Sequence, residues 1–404
     1  MLKIVIPNMW KHSPLKTVLV LAPLILACEL AMEAYIPVLP IMGKSLHTTQ
    51  SMAQLTVSVF LIVSGVGQLI LGPLSDQVGR YKVILMSAIL FLAGTIFCIL
   101  SPGVKFLIFS RIIQATGACG LSVVTFAIIR DSFSGKQSSM VYNLVDAIVS
   151  MSPILGPPIG VTLALLFNWQ SIFVFLFILA VMSLLIILFF VQESLPIERR
   201  KKFSFDIISR YWTVSKSLQF WAYSISAVSG MSAFLIFFTM IPYIIVYLED
   251  PYTKIYIMFA FTGIAYLAGA VFAGVIVNHL GVFRTTIVGV VCILIAGILS
   301  LASYVGFGLS LWMFFAPCFF AAFGCAIAAG AGASGGMEPF FEIVGVASAM
   351  FGTIELSLSA VVVGIAMSFP ATSALPIALT MIITSLFALL LLFILRMVKK
   401  GKLS

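Results

Sequence analysis

Charged residues are scarce in this chain: Asp, Glu, Lys and Arg together make up 9% of the 404 residues, whereas 62% are hydrophobic. Soluble domains carry about 25% charged residues, so the chain lacks the polar side chains that a water-soluble globule of this length needs on its surface. Intrinsic disorder is excluded too, because disordered chains combine low hydrophobicity with high net charge. The composition therefore predicts an integral membrane protein.

Cysteine and histidine are also few, and they are not grouped. The six cysteines lie singly in apolar stretches without a CxxC pair, and the three histidines lie in or near predicted loops. Disulfide frameworks and zinc sites need paired or clustered ligands, so we expect no metal site, no cofactor and no histidine-based catalysis. The sequence also has no Gly-x4-Gly-Lys-Ser/Thr phosphate loop, which excludes nucleotide hydrolysis as the energy source. An enzyme is therefore not expected.

Long apolar runs occupy most of the sequence. A membrane-spanning helix needs about 20 mostly apolar residues, and twelve stretches meet this requirement. They lie at 17–42, 51–73, 83–101, 105–129, 138–165, 169–192, 218–247, 253–277, 283–303, 309–332, 343–367 and 374–396. The runs are apolar on every side rather than alternating, which favours helices over a β-barrel, and no cleavable signal peptide is expected. The predicted fold class is an all-α membrane protein with twelve transmembrane helices.

The basic residues are distributed unevenly between the predicted loops. With the amino terminus in the cytoplasm, 18 Lys and Arg residues fall on the cytoplasmic side, and three (Lys44, Lys105 and Lys254) fall on the other side. Cytoplasmic loops carry the excess of positive charge, so both termini are expected in the cytoplasm. We interpret the net charge of +9 as a topology signal and as attraction to anionic lipid, and we expect no nucleic-acid partner.

A polar stretch at 193–217 divides the chain into two halves with six predicted spans each. We expect an amino-terminal bundle over residues 1–192, a cytoplasmic central loop over 193–217 and a carboxy-terminal bundle over 218–404. The loops after spans 2 and 8 share a pattern of Gly, Asp or Asn, Gly, and Lys or Arg at an offset of 202 residues. The matched residues are Gly72, Asp76, Gly79 and Lys82 in the first half and Gly274, Asn278, Gly281 and Arg284 in the second. This repetition predicts duplicated halves, as in transporters that work by alternating access.

Several motifs resemble a known family. The loop 72–82, Gly-Pro-Leu-Ser-Asp-Gln-Val-Gly-Arg-Tyr-Lys, resembles the loop 2–3 signature of the major facilitator superfamily. The wider run 54–85 resembles the bicyclomycin/chloramphenicol-resistance (Bcr/CflA) drug:proton antiporters of that superfamily, as do Arg-Ile-Ile-Gln-Ala-Thr-Gly at 111–117 and Tyr-Ile-Pro-Val-Leu-Pro at 35–40. The resemblance covers most of the chain and is densest in the first half. It implies the major facilitator fold, with twelve transmembrane helices in two six-helix bundles.

The resemblance also implies a function. It points to a secondary active exporter that moves small amphiphilic or cationic molecules out of the cytoplasm in exchange for protons. Such a protein would be a monomer in the bacterial inner membrane, and its partners would be the substrate, protons and the lipid bilayer. Two alternatives with the same fold stay open: a dedicated exporter of one metabolite, such as a siderophore, and an uptake symporter.

The loop 2–3 motif contains five candidate residues, Gly72, Asp76, Gly79, Arg80 and Lys82. Its glycines permit close backbone approach or unusual turns, its aspartate suits a helix amino terminus, and its basic residues suit helix carboxyl ends. The resemblance implies a conformational latch between the two halves at the cytoplasmic rim. The alternative is a basic loop that only sets the topology.

The fifth span contains Pro153, Gly156, Pro157 and Gly160. Proline removes backbone donors and kinks a helix, while glycines four residues apart let another helix pack closely. The segment resembles the family's antiporter motif, which is characteristic of exporters rather than uptake symporters. The alternative is a kink that serves packing alone.

Five charged residues fall within the predicted spans: Glu29, Glu33, Arg111, Asp146 and Glu355. Each costs roughly 2.5–3.5 kcal/mol at the centre of a bilayer, so these residues must be paired, protonated or hydrated. Glu29 and Glu33 are four residues apart and share one helix face. Neighbouring carboxylates repel each other in a low dielectric, so at least one of them is expected to hold a proton near neutral pH. This pair is the predicted proton site.

The resemblance gives Arg111 the role of partner to the acid of span 1 and sensor of its proton, and a fixed structural ion pair is the alternative. Asp146 and Glu355 are candidates for binding a cationic group of the substrate, for a second proton site, or for residues of a cytoplasmic vestibule. Four further residues are weaker candidates for a substrate pocket, with helix packing as the alternative: Tyr35, Phe60, Gln68 and Phe237.

Overall fold

The computed structural model describes residues 10, 12–200, 206–252 and 254–401, and this part of the chain is helical. Five basic residues of the orientation argument, Lys3, Lys11, Lys201, Lys202 and Lys402, lie outside the described residues. The described α-helices are α1 (Pro14–Glu33), α2 (Leu39–Ser45), α3 (Gln50–Val78), α4 (Arg80–Ile99), α5 (Val104–Ser132), α6 (Gly135–Val149), α7 (Ser152–Leu166), α8 (Ser171–Phe190), α9 (Asp206–Ser215), α10 (Leu218–Tyr247), α11 (Lys254–Phe307), α12 (Phe315–Met337), α13 (Val344–Ala366) and α14 (Leu375–Gly401). Short 3₁₀ segments lie at Ile36–Val38, Ile197–Arg199, Leu311–Phe314 and Glu338–Ile343.

Within the described residues, ten helical stretches are long and apolar enough to cross a membrane, and two of them contain two crossings each. The stretches Lys254–Phe307 and Leu311–Ala366 have 54 and 56 residues. At 1.5 Å per residue each would be about 80 Å long if straight, against a hydrocarbon core of about 30 Å. Non-helical backbone at Gly281 (φ 73°, ψ 164°) divides the first stretch, and the 3₁₀ segment Glu338–Ile343 divides the second. The all-α architecture with twelve crossings is therefore confirmed.

Two crossings of the first half are broken into shorter helices. The first crossing consists of α1, the 3₁₀ segment Ile36–Val38 and α2, because Pro37 lacks a backbone donor and restricts the residue before it. The fifth crossing consists of α6 and α7, and Pro153 lies in the first turn of α7, where a missing N–H does no harm. The proline-induced kink expected in span 5 is present as this helix break.

The sequence analysis expected a loop over the central segment 193–217, but part of this segment is helical. It contains the 3₁₀ segment Ile197–Arg199 and the ten-residue helix α9, which ends three residues before α10 begins. In α9 the polar side chains that suggested a loop and the apolar side chains recur at helical spacing, so α9 is an amphipathic helix.

The repeated glycines have the same backbone conformation in both halves. Gly79 lies between α3 and α4 with φ 109° and ψ 152°, and Gly281 interrupts α11 with φ 73° and ψ 164°. Residues with a side chain rarely adopt a positive φ, so glycine is required at both sites. The repeat found in the sequence thus corresponds to the same helix break in each half.

The two halves separate at one end of the molecule and meet at the other. We call the end that carries the loop between α3 and α4, the segment 193–217 and Glu338–Ile343 the basic end. A cavity of about 1150 Å³ opens there between the halves. At the opposite end the halves are hydrogen-bonded: Gln50 Nε2 donates to Phe369 O (3.3 Å), and Tyr252 Oη donates to Pro37 O.

Candidate functional site

Glu33 is the last residue of α1 and lies at the break in the first crossing. Its side chain is 7% exposed, and Oε2 has no hydrogen-bond partner among the described residues. A buried carboxylate without a partner is unfavourable in its charged form. Glu33 is therefore placed where taking up a proton changes the free energy of the surrounding structure.

The motif in α7 packs directly against this break. A Cβ atom at Gly156 would overlap the Cβ of Glu33, and a Cβ at Gly160 would overlap the carbonyl group of Ala34. The prediction that these glycines allow close helix packing is confirmed, and their partner is α1. Pro157 lies in α7 between the two glycines, so the helix that contacts Glu33 is also one that lacks a backbone donor.

Glu29 lies one turn before Glu33 on α1, and the two carboxyl groups interact electrostatically, as their spacing predicts. Glu29 also interacts with Asp146, which lies on the neighbouring helix α6. Among the described residues, no ion pair with Lys or Arg within 4.0 Å involves Glu29, Glu33, Asp146 or Glu355. The predicted intramembrane carboxylates are thus not neutralised by basic side chains in this conformation.

Arg111 lies in α5 and is fully buried, but it does not contact Glu33. Its Nη1 donates to Ala31 O (3.1 Å) and to Gln114 Oε1 (2.7 Å), and Nε lies 3.5 Å from Thr56 O. Nη2 has no partner within the described part of the chain. The expected contact between Arg111 and the acid of span 1 is not formed here, and its role as a proton sensor stays a prediction.

The three aromatic pocket candidates, Tyr35, Phe60 and Phe237, lie in the core. Tyr35 and Phe60 are buried beneath the Arg111 guanidinium, whose carbon is 4.7 Å and 4.2 Å from their ring centroids. Phe237 is buried and packs edge-to-face on Phe314. None of the three lines the described cavity, so in this conformation they serve packing and the solvation of Arg111 rather than a pocket. Position within a span does not reveal whether an aromatic ring faces a cavity or the core.

The remaining pocket candidates lie at or beside the inner part of the cavity. Gln68 lines the cavity and packs against Gly352 of the other half, where a Cβ would overlap its Oε1. Asp146 is exposed one turn after the cavity residue Tyr142, and Glu355 is half-buried one turn after Gly352. Both acids are therefore compatible with the predicted vestibule.

Tyr266 of α11 is a residue that the sequence analysis missed. Its hydroxyl group is buried and interacts electrostatically with carboxyl groups of both halves, those of Glu355, Asp146 and Glu29. A tyrosine within an apolar span is the only sequence signal for this position, and many core tyrosines share that signal.

Arg80 forms the centre of an ion-pair cluster at the basic end. Its side chain is buried, Nη2 lies 2.6 Å from Asp76 Oδ1, and Nε donates to Asp131 Oδ2 (2.8 Å). Nη1 donates to Ser75 Oγ (2.5 Å). These contacts join the end of α3, the start of α4 and the end of α5.

A second carboxylate, Glu193, holds the same loop from the end of the sixth crossing. Its Oε1 accepts the backbone N–H of Arg80 (2.9 Å), and its Oε2 accepts a hydrogen bond from Arg200 Nη2 (3.2 Å). A Cβ atom at Gly79 would overlap Glu193 and Arg200. Gly79 is thus required both for its positive φ and for this close approach.

The described contacts of Arg80 therefore lie within the first half in this conformation, and the role of these residues as a latch between the halves stays a prediction. The cavity separates the halves at the basic end, so no second-half acid reaches Arg80 among the described contacts. Gly72 lines the cavity, and Lys82 is exposed. Asp131 and Glu193 complete the cluster, and the sequence analysis assigned neither of them a role, because each is distant from the loop in sequence.

Comparisons with known proteins agree with this fold. Residues 21–363 match the family model described as Major Facilitator Superfamily. A chloramphenicol resistance protein of Pseudomonas aeruginosa is 28% identical over 344 residues, which are 85% of this chain and 81% of that protein. Multidrug resistance protein D of Escherichia coli (strain K12) is 25% identical over 384 residues, 95% of this chain and 96% of that protein. The crystal structure of a POT family transporter in complex with 5-aminolevulinic acid has a TM-score of 0.73 at 13% identity and covers 97% of this chain and 98% of that chain, which shows the fold alone.

Proposed function

The chain belongs to the Major Facilitator Superfamily, and from this premise we propose that it is a proton-coupled exporter of small amphiphilic or cationic molecules. Membership makes it a multi-pass membrane transporter and not an enzyme. The finer assignment, to the Bcr/CflA-type drug:proton antiporters, is supported by the motifs at 35–40, 54–85 and 111–117 and by the names of the two relatives, a chloramphenicol and a multidrug resistance protein.

One observation carries the proposal: Glu33 lies where α1 breaks and α7 packs against it, and its buried Oε2 has no hydrogen-bond partner among the described residues. In the charged form this group costs roughly 2.5–3.5 kcal/mol in a bilayer, and protonation removes the part of that cost that is due to the charge. Because Gly156 and Gly160 leave no space at this contact, a change in the charge or position of Glu33 acts on two broken crossings at once. This contact can couple protonation to a change of conformation.

In the proposed cycle, the cavity at the basic end faces the cytoplasm and takes up substrate, with Asp146 and Glu355 attracting a cationic group. The halves then close at the basic end and open at the opposite end. A proton from outside binds Glu33, with Glu29 as its electrostatic neighbour, and drives release of the substrate. Loss of the proton to the cytoplasm resets the site. This is an alternating-access cycle driven by a proton gradient.

The proposed location is the bacterial inner membrane, with the protein as a monomer and both termini in the cytoplasm. The 18-to-3 distribution of Lys and Arg supports this orientation, and both named relatives are bacterial.

The test uses the full chain in proteoliposomes, with chloramphenicol and an ethidium cation as probes. Wild type in inside-out orientation is expected to accumulate a probe in the lumen when the lumen is more acidic than the outside. Glu33→Gln is expected to lose this coupled transport. Glu198→Gln is the matched control, because Glu198 is exposed on the 3₁₀ segment Ile197–Arg199. Normal pH-driven transport by Glu33→Gln would contradict the proton site. Accumulation only with the reverse gradient would favour an uptake symporter.

A further inference from the structure

The helix α9 directly precedes the spanning helix α10 at the basic end. It ends at Ser215, and the spanning helix α10 begins at Leu218. Two residues cannot carry the chain far from the point where α10 enters the bilayer, since each extended residue spans at most about 3.6 Å. The position of α9 is therefore fixed at the interface between lipid and water.

One face of α9 is attached to the protein. Val214 is fully buried in an apolar cluster with Phe220 and Phe351 of the second half, and Trp221 Nε1 donates to Ser215 O (2.8 Å). Tyr211 Oη donates to Leu69 O of the first half (3.1 Å). The helix is thus anchored to the second half and touches the first half at the mouth of the cavity.

A second face of α9 is apolar but has no protein cover within the described structure. Ile208 and Trp212 lie one turn apart and are 62% and 64% exposed. The ammonium group of Lys216 lies 5.2 Å from the centroid of the Trp212 ring. A tryptophan next to a lysine at the edge of an apolar face is typical of residues that sit at the headgroup level of a bilayer.

The charge of the segment fits the same surface. Residues 193–217 contain six basic residues and three acidic residues. One of the acids, Glu193, already accepts hydrogen bonds from Arg200 and from the backbone N–H of Arg80. Anionic lipids attract such basic segments by about 1 kcal/mol for each Lys or Arg near the surface. An exposed apolar stripe beside basic residues is the pattern of a helix that lies in the plane of the interface.

We propose that α9 binds anionic phospholipids, with Ile208 and Trp212 inserted at the interface and Lys216 paired with the headgroup phosphate. Ile208, Trp212 and Lys216 do not line the cavity, although Arg210 and Tyr211 on another face of α9 do. The proposal does not depend on proton coupling at Glu33 or on the direction of transport. Because Val214 attaches α9 to the second half, lipid binding also tethers that side of the cavity mouth to the membrane surface.

The experiment measures hydrogen exchange of the α9 amides in the purified full chain, in nanodiscs of phosphatidylcholine with or without phosphatidylglycerol. Exchange is expected to be about fivefold slower with the anionic lipid, and Lys216→Gln is expected to remove about that factor. Arg284→Gln, which removes an exposed positive charge from the corresponding loop of the second half, is expected to retain the protection.

A second readout, tryptophan fluorescence, tests whether Trp212 inserts into the bilayer, and its variant Trp212→Phe keeps an aromatic ring at this position. Brominated lipids are expected to quench a fluorescence component that Trp212→Phe removes.

Equal hydrogen exchange of α9 in both lipid compositions would overturn the proposal. So would equal protection by soluble glycerol phosphate, which would identify a free anion as the ligand, or protection that rises with protein concentration in detergent, which would identify a second copy as the occupant.

Discussion

At the scale of single residues, two buried arginines of the first half are stabilised in different ways. Arg80 pairs with Asp76 and Asp131, so its charge is balanced within an ion-pair cluster. Arg111 has no acidic partner among the described residues and instead donates to Ala31 O and Gln114 Oε1, with its guanidinium over two aromatic rings. Carbonyl oxygens and ring faces attract a guanidinium without neutralising it. No acid among the described residues therefore balances Arg111, and its acceptor Ala31 lies two residues before Glu33 in α1.

Replacing Arg111 by alanine is expected to impair transport and to destabilise the protein. The change leaves the buried acceptors Ala31 O and Gln114 Oε1 without this donor, at about 1–3 kcal/mol for each acceptor. Thermal unfolding in detergent and transport in proteoliposomes measure the two effects. Arg284→Ala, an exposed arginine, is the control and is expected to unfold like wild type. Unaltered turnover of Arg111→Ala would show that Arg111 only braces the bundle.

At the scale of helices, prolines and glycines determine where elements break and which backbones touch. The first crossing breaks after Glu33 and the fifth breaks before Ser152, and Gly156 and Gly160 bring the two broken crossings into backbone contact. Glycine is used there for its lack of a Cβ, whereas Gly79 is also required for its positive φ. The helix geometry thus creates the buried contact at which Glu33 lies.

Gly160→Ala is expected to destabilise the protein by about 1–3 kcal/mol, because its Cβ would overlap the Ala34 carbonyl and overpacking costs roughly this amount. Coupled transport is expected to fall as α1 and α7 move apart. The matched control is Gly330→Ala in α12, where a Cβ would meet no atom within 4 Å and alanine favours the helix. Equal stability of the two variants in thermal unfolding would refute the tight contact.

At the scale of the whole molecule, the halves are apart at the basic end and joined at the opposite end. The cavity is lined by residues of both halves, and the closing contacts include those of Gln50 with Phe369 and of Thr162 with Tyr256. The Arg80 cluster stabilises the first half on its own. A transporter of this kind must break the contacts at the closed end in every cycle.

Cross-linking across the closed end is expected to abolish transport. In a background without the six native cysteines, Gln50→Cys and Phe369→Cys join the two halves through a short bismaleimide reagent. The control pair Phe97→Cys and Phe106→Cys links two exposed residues of the first half whose ring centroids are 6.2 Å apart, and it is expected to leave transport intact. Full transport by the cross-linked Gln50–Phe369 pair would contradict alternating access.

The membrane class, the twelve crossings and the repeat could be predicted from the sequence alone, because apolar run length and glycine spacing are local properties of a chain. Glu33 and the glycines of α7 could be chosen as candidates from the sequence, since intramembrane acids and paired small residues are rare, and their functional roles stay predictions. The tertiary structure decided which groups meet. It placed Arg111 on carbonyl groups and aromatic rings, Arg80 on Asp131 and Glu193 within one half, and Tyr35, Phe60 and Phe237 in the core. Charge pairing and burial depend on distances between helices far apart in sequence, and no local pattern contains those distances.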